Sequence, residues 1–163
     1  RDYAAMKFLS VALILSVVVL VTLSAYYLGA ILVGGEGWSY VMDTGLLFVG
    51  SFAAGVLLVI TYTSIGLAFS SVSSGKFFPA VAFIGTILGT KLVAFLISTL
   101  FSTSAIYLIS PYDCLAHVGQ WMLGLNHTYD HPASWSLVML LVMNAVSIYV
   151  LSARVSSLEV TRE

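Results

Sequence analysis

Apolar residues run in four long stretches along this chain, and polar residues gather between them. The stretches extend from Phe8 to Val33, from Leu46 to Phe69, from Phe78 to Ile109 and from Trp135 to Leu151. Each is long enough, or nearly so, to cross a hydrocarbon core, which takes about 20 apolar residues as helix. Helices are predicted because an open sheet would leave backbone groups unpaired in lipid. The third stretch is longer than one crossing needs and predicts a tilt or a continuation past the membrane surface. The fourth lies close to the lower limit. No internal repeat, low-complexity tract or linker divides the chain, so residues 1–163 read as one transmembrane domain.

The connection between the third and fourth stretches has a pattern of its own. Leu115, Val118, Met122 and Leu123 recur at roughly helical spacing, opened by Ser110-Pro111 and closed by Gly124. Ser then Pro at a helix start and Gly past its end match the usual capping asymmetry. The pattern predicts a short amphipathic helix over about 111–123, lying at the outer interface. The fold class expected is an all-α integral membrane protein, a bundle of four transmembrane helices with this short interfacial helix.

Composition points the same way. Of 163 residues, 60% are hydrophobic and 8% charged, with a mean hydropathy of +1.06. A soluble domain carries about 25% charged residues to hydrate its surface. Thirteen charged side chains cannot do that here. The net charge of −1 leaves no basic patch for nucleic acid. The single cysteine, Cys114, excludes a disulfide framework and a Cys-rich metal site. The first apolar stretch is too long for a signal-peptide core and lacks a small-residue cleavage site, so it reads as a retained span. An opening on Arg1 instead of Met reads as processing or as part of a longer protein.

The charges sort by side. Arg1 and Lys7 precede the first stretch, Lys76 follows the second, and Arg154 and Arg162 follow the fourth. The other two connections hold Glu36, Asp43, Asp113 and Asp130, with no Lys or Arg. The positive-inside rule then places both ends and the Lys76 loop in the cytoplasm of a multi-pass plasma-membrane protein. Tyr26, Tyr27, Trp38 and Tyr40 surround the first outer connection, and Tyr107, Tyr112, Trp121, Tyr129 and Trp135 the second. Such rings favour the interface, half buried with a polar atom left wet.

Few residues carry candidate chemistry. Lys91 is the one ionisable side chain deep inside a stretch. A cation there costs about 2.5–3.5 kcal/mol on insertion scales, so it either lines a wet cavity or pathway or snorkels to an interface. Gly85 and Gly89 form a GxxxG on the same stretch, suited to close packing within the bundle or between subunits. His117, His127 and His131 lie in the second outer connection beside Asp113, Cys114 and Asp130. The spacing of His127 and His131 would suit a metal only on a helix, and Pro132 and the turn-like Asn126-His127-Thr128 argue against one. Solvated loop histidines are the expectation, with no metal. No phosphate loop, nucleophile elbow or paired carboxylates mark a catalytic centre, and no cofactor is expected.

The opening Arg1-Asp2-Tyr3-Ala4-Ala5-Met6-Lys7 running into a long apolar helix resembles ATP-binding cassette (ABC) transporter permeases of the type-2, exporter-like class. Gly66-Leu67-Ala68-Phe69-Ser70-Ser71 with its Ser-rich, basic turn is similar to that family. So are Ser110-Pro111 before a short outer helix, and the tail with Ala153-Arg154-Val155 and Glu159-Val160. The resemblance implies the last four spans of a six-span permease, working with a second permease copy or a homologous permease. ATP hydrolysis would reside in a partner ATPase subunit, contacted by Arg1, Asp2, Tyr3 and Lys7, so the chain itself would not be an enzyme. Two other readings stay open on the residues alone: a membrane scaffold that moves no solute, and an intramembrane or metal-handling protein using the outer histidines.

Overall fold

The structure, a computed structural model, describes residues 2–33, 37–73, 75, 77–126 and 128–160, without the side chains of 2–4 and 155–160. Helices dominate. The first crossing is α1 (Asp2–Ser16) and α2 (Thr22–Val33), joined without a break by a π-helical turn over Val17–Val21. The others are α3 (Trp38–Val72), α4 (Phe78–Phe101) and α6 (Ala133–Val160). Among the described residues these make four helical units long and apolar enough to span a membrane. The bounds shift from the sequence pattern. The second span starts at Trp38 instead of Leu46, and the fourth runs on to Val160.

The third span is shorter than expected. It ends at Phe101, where Ser102 takes a left-handed conformation (φ 50°) that no following helical turn can continue. The remaining apolar residues form a 3₁₀ turn over Ala105–Ile109, followed by α5 (Pro111–Met122). Extra length therefore turns back instead of tilting or projecting.

Where it turns back to is the main correction to the sequence reading. Tyr107 receives a hydrogen bond from Ser98 of α4 (2.8 Å), and Tyr112 lies under Lys91, two turns deeper. Ile109 and Pro111 border the same apolar cavity as Thr86, deeper still. The chain thus descends antiparallel to α4. It then rises along α3, where Gly119 adjoins Ala54 and the Met122 carbonyl adjoins Gly50. The helix expected to lie on the outer interface is instead re-entrant, its start inserted between α3, α4 and α6. Its amphipathic pattern is real, but the favoured face is covered by protein: Cys114, His117 and Val118 are buried. The exposed flank carries Trp121 and Tyr112.

Burial runs inside out relative to a soluble protein. Leu13, Ile14, Val17, Val18, Leu92 and Leu96 are exposed, while Thr61, Thr63, Ser64, Ser110, His117, Ser136 and Asn144 are buried. Lipid is as apolar as leucine, so burying Leu gains little, whereas polar groups gain partners by leaving lipid. The densest seam joins α3 to α6. Asn144 binds the Ser64 hydroxyl, donates to Thr61 Oγ1 (3.1 Å), and donates to the Leu140 carbonyl one turn back (2.8 Å). Small residues set the closest approaches: Leu20 of the π-helical turn packs against Gly55 of α3.

Two contacts fix which ends lie together. Lys7 Nζ donates to Ser70 Oγ (3.2 Å), bringing the start of α1 to the end of α3. At the opposite side the Tyr27 and Thr44 hydroxyls bond (3.1 Å), and Tyr27 stacks on Phe48 with centroids 4.3 Å apart.

Candidate functional site

The re-entrant turn concentrates polar side chains in the half of the bundle that holds the end of α4 and the start of α6. Ser110 is extended, and its hydroxyl accepts from the Asp113 N–H (3.3 Å), capping α5. That cap places an acidic residue in the first turn, where the helix dipole favours it. Asp113 is 5% exposed. Its Oδ1 accepts from the Tyr129 hydroxyl (3.0 Å), while Oδ2 is buried with no hydrogen-bond partner among the described residues.

One turn on, His117 Nδ1 meets Ser136 Oγ of α6 (2.8 Å), and His131 Nε2 meets the same hydroxyl (3.1 Å). The two imidazoles stand edge to face at 4.8 Å, and the Tyr129 ring lies 4.9 Å from His117 and 5.4 Å from Tyr107. Gln120 holds the incoming loop, its amide donating to Thr128 Oγ1 (3.0 Å) and its carbonyl accepting from the Thr128 N–H (3.2 Å).

Lys91 faces this cluster from α4. Its Nζ sits 3.6 Å from the Tyr112 ring centroid, a cation–π contact. Lys91, Asp113, Tyr107, Thr128 and Tyr129 line one cavity of about 570 Å³, whose apolar wall is Leu88, Leu92 and Phe95 of α4. The lysine lines this cavity with its ammonium over the Tyr112 ring.

Burial sets the acid–base character of the cluster. It pushes the Cys114 thiol up to about 12, helped by the Asp113 charge and opposed by a hydrogen bond with Ser136. Tyr129 is also raised, first by burial, then by Asp113. His131 is lowered by burial, with Asp130 pulling the other way. Cys114 is an inert thiol against the Leu108 and Tyr107 carbonyls.

The outer histidines are not uniformly solvated loop residues: His117 is buried and His131 half-buried. No set of three His, Cys, Asp or Glu side chains converges as metal ligands among the described residues. His127, Lys76 and Arg1 fall outside the described residues, as do the side chains of Asp2 and Tyr3. Gly85 and Gly89 are described, and a Cβ at either would meet nothing within 4 Å. Close packing inside the chain falls to Gly50 and Gly55 instead.

The sequence signal for Asp113 was its place three residues past a Ser-Pro helix start. Nothing local marked Tyr112, Tyr129 or Ser136 as its neighbours. No family model, curated protein or solved structure matches the chain.

Proposed function

We propose that this protein is a permease subunit of a type-2 ABC transporter, moving its substrate with energy from a separate ATPase subunit. The observation that carries the reading is the re-entrant α5, opened by Ser110-Pro111 and standing directly before the final span. That is where the family resemblance calls for a short outer helix. A helix that inserts buried polar groups into the outer half of the bundle suits a transport route better than a passive scaffold, which needs none.

The Lys7–Ser70 contact supports the same reading. It joins the two segments assigned to the cytoplasmic side by charge, the Arg1 to Lys7 leader and the Ser-rich loop. Arg1, Asp2, Tyr3 and Lys7 then form the docking surface for the ATPase, with both ends of the chain in the cytoplasm and the bundle in the cell membrane. Lys91 lies beside the pathway. Gly85 and Gly89 face a second permease copy, because their surface is open within this chain.

The test is co-purification of the tagged protein in mild detergent, assayed for a bound ATPase and ATP hydrolysis. Co-purifying hydrolysis that is lost when Arg1 to Lys7 is scrambled supports the permease. A clean preparation without a nucleotide-binding partner overturns it and favours a scaffold.

A further inference from the structure

We propose that the cavity between α4 and the re-entrant α5 binds a zwitterionic amphiphile, a lipid whose headgroup joins an anionic group to an ammonium. The site stands on its own geometry and does not depend on the transport reading.

Two opposite charges line this cavity without closing an ion pair. The Lys91 ammonium rests on the Tyr112 ring, and Asp113 offers a buried oxygen with no hydrogen-bond partner among the described residues. An unsatisfied buried acceptor is costly, more so when charged. A lone cation would meet Lys91 as a like charge, and a lone anion would meet Asp113. A ligand carrying both charges satisfies both: its anionic group takes the Lys91 ammonium, and its ammonium takes the free Asp113 oxygen. The Tyr107 and Tyr129 rings line the same cavity and are surfaces on which an ammonium is favoured, as Lys91 already shows on Tyr112.

The wall supplies the second half of the recognition. Leu88, Leu92 and Phe95 line the cavity and are each more than half exposed on the lipid side of α4. The cavity therefore opens sideways to the acyl region, and an apolar tail stays in contact with lipid while the headgroup enters. Lys91 lies roughly 15 Å along the helix axis from the Phe101 end and about 20 Å from the Phe78 end, near the middle of the span.

The experiment uses the purified protein in detergent and measures saturable binding of dihexanoyl lipids that differ only in headgroup. The probes are phosphatidylethanolamine, phosphatidylglycerol and a trimethylammonium lipid, with free phosphoethanolamine as the tail-less control. The zwitterionic lipid is expected to bind about tenfold or more tightly than either singly charged lipid. Asp113→Asn and Lys91→Gln each weaken it by about tenfold or more, whereas Lys91→Arg retains it. Equal binding of the three headgroups overturns the proposal, and this comparison on the unaltered protein decides even where a variant fails to fold. Unchanged affinity in Asp113→Asn also overturns it. Equally tight binding of free phosphoethanolamine overturns the lipid source in favour of a soluble zwitterion.

Discussion

Gly50 of α3 lies so close to the end of α5 that a Cβ built on it would stand 2.7 Å from the Met122 carbonyl oxygen. The neighbour is backbone and cannot rotate aside. This contact holds the top of the re-entrant helix against the second span, so Gly50→Ala is expected to destabilise the protein by about 1–3 kcal/mol. Gly29→Ala is the control, since a Cβ there meets nothing within 4 Å among the described residues. It is expected to be neutral or stabilising by about 0.5–1 kcal/mol from helix propensity. Thermal unfolding in detergent of the two variants side by side checks both values. Equal effects would contradict the packing described.

Asn144 spans the α3–α6 seam by binding Ser64 and Thr61. Asn144→Ala removes the bridge and leaves two hydroxyls without it inside the bundle, at a cost of about 1–2 kcal/mol. Thr90→Val tests the contrast. Thr90 bonds only to carbonyls of its own helix, at Thr86 and Ile87, so its loss is expected to stay within about 0.5 kcal/mol. Reversible unfolding titrations of both variants measure the difference.

Cys114 is the single cysteine, is buried on α5, and has its thiol pushed up to about 12. Maleimide labelling of the folded protein at neutral pH is expected to run about a hundredfold or more slower than for a free thiol. Labelling becomes complete after denaturation. Fast labelling of the folded protein would mean that α5 does not pack between α3 and α6.

His131 has its pKa lowered from the usual 6.5 by burial. The unfolded chain then binds more protons than the folded protein between that value and the lower folded one. The stability associated with neutral His131 is full above pH 6.5 and is lost as pH falls through the folded pKa. A midpoint of thermal unfolding that drops with acidification, and drops less in His131→Gln, is the expected result. An identical pH dependence in the variant would remove His131 as the cause.

The distribution of legible and illegible features follows from what sequence patterns report. The α5 helix was visible in its Ser110-Pro111 start and its apolar spacing, and its bounds came out nearly as expected. Its location was not. An amphipathic helix presents the same pattern whether its apolar face meets the lipid interface or the side of α3. Lys91 stood out because a charge in an apolar stretch is rare. That it rests on Tyr112 depends on a turn at Ser102, a residue with no glycine-like signal for a left-handed backbone. Gly85 and Gly89 carried the more familiar spacing, yet the close contacts fell at Gly50 and Gly55.

The sequence by itself determined the helical character and the four stretches long and apolar enough to cross a membrane, because too few charges exist to hydrate a surface and lipid permits no unpaired backbone. It also determined that the basic residues outside the apolar stretches fall in alternate connections. Those properties are sums over residues and need no knowledge of neighbours. Only the tertiary structure decided that the last connection folds back into the bundle. It also decided that Ser64 meets Asn144, and that Lys91 and Asp113 share one cavity. Those are pairings between residues far apart in the chain, and inside a bilayer a polar group takes whichever partner the packing brings within reach.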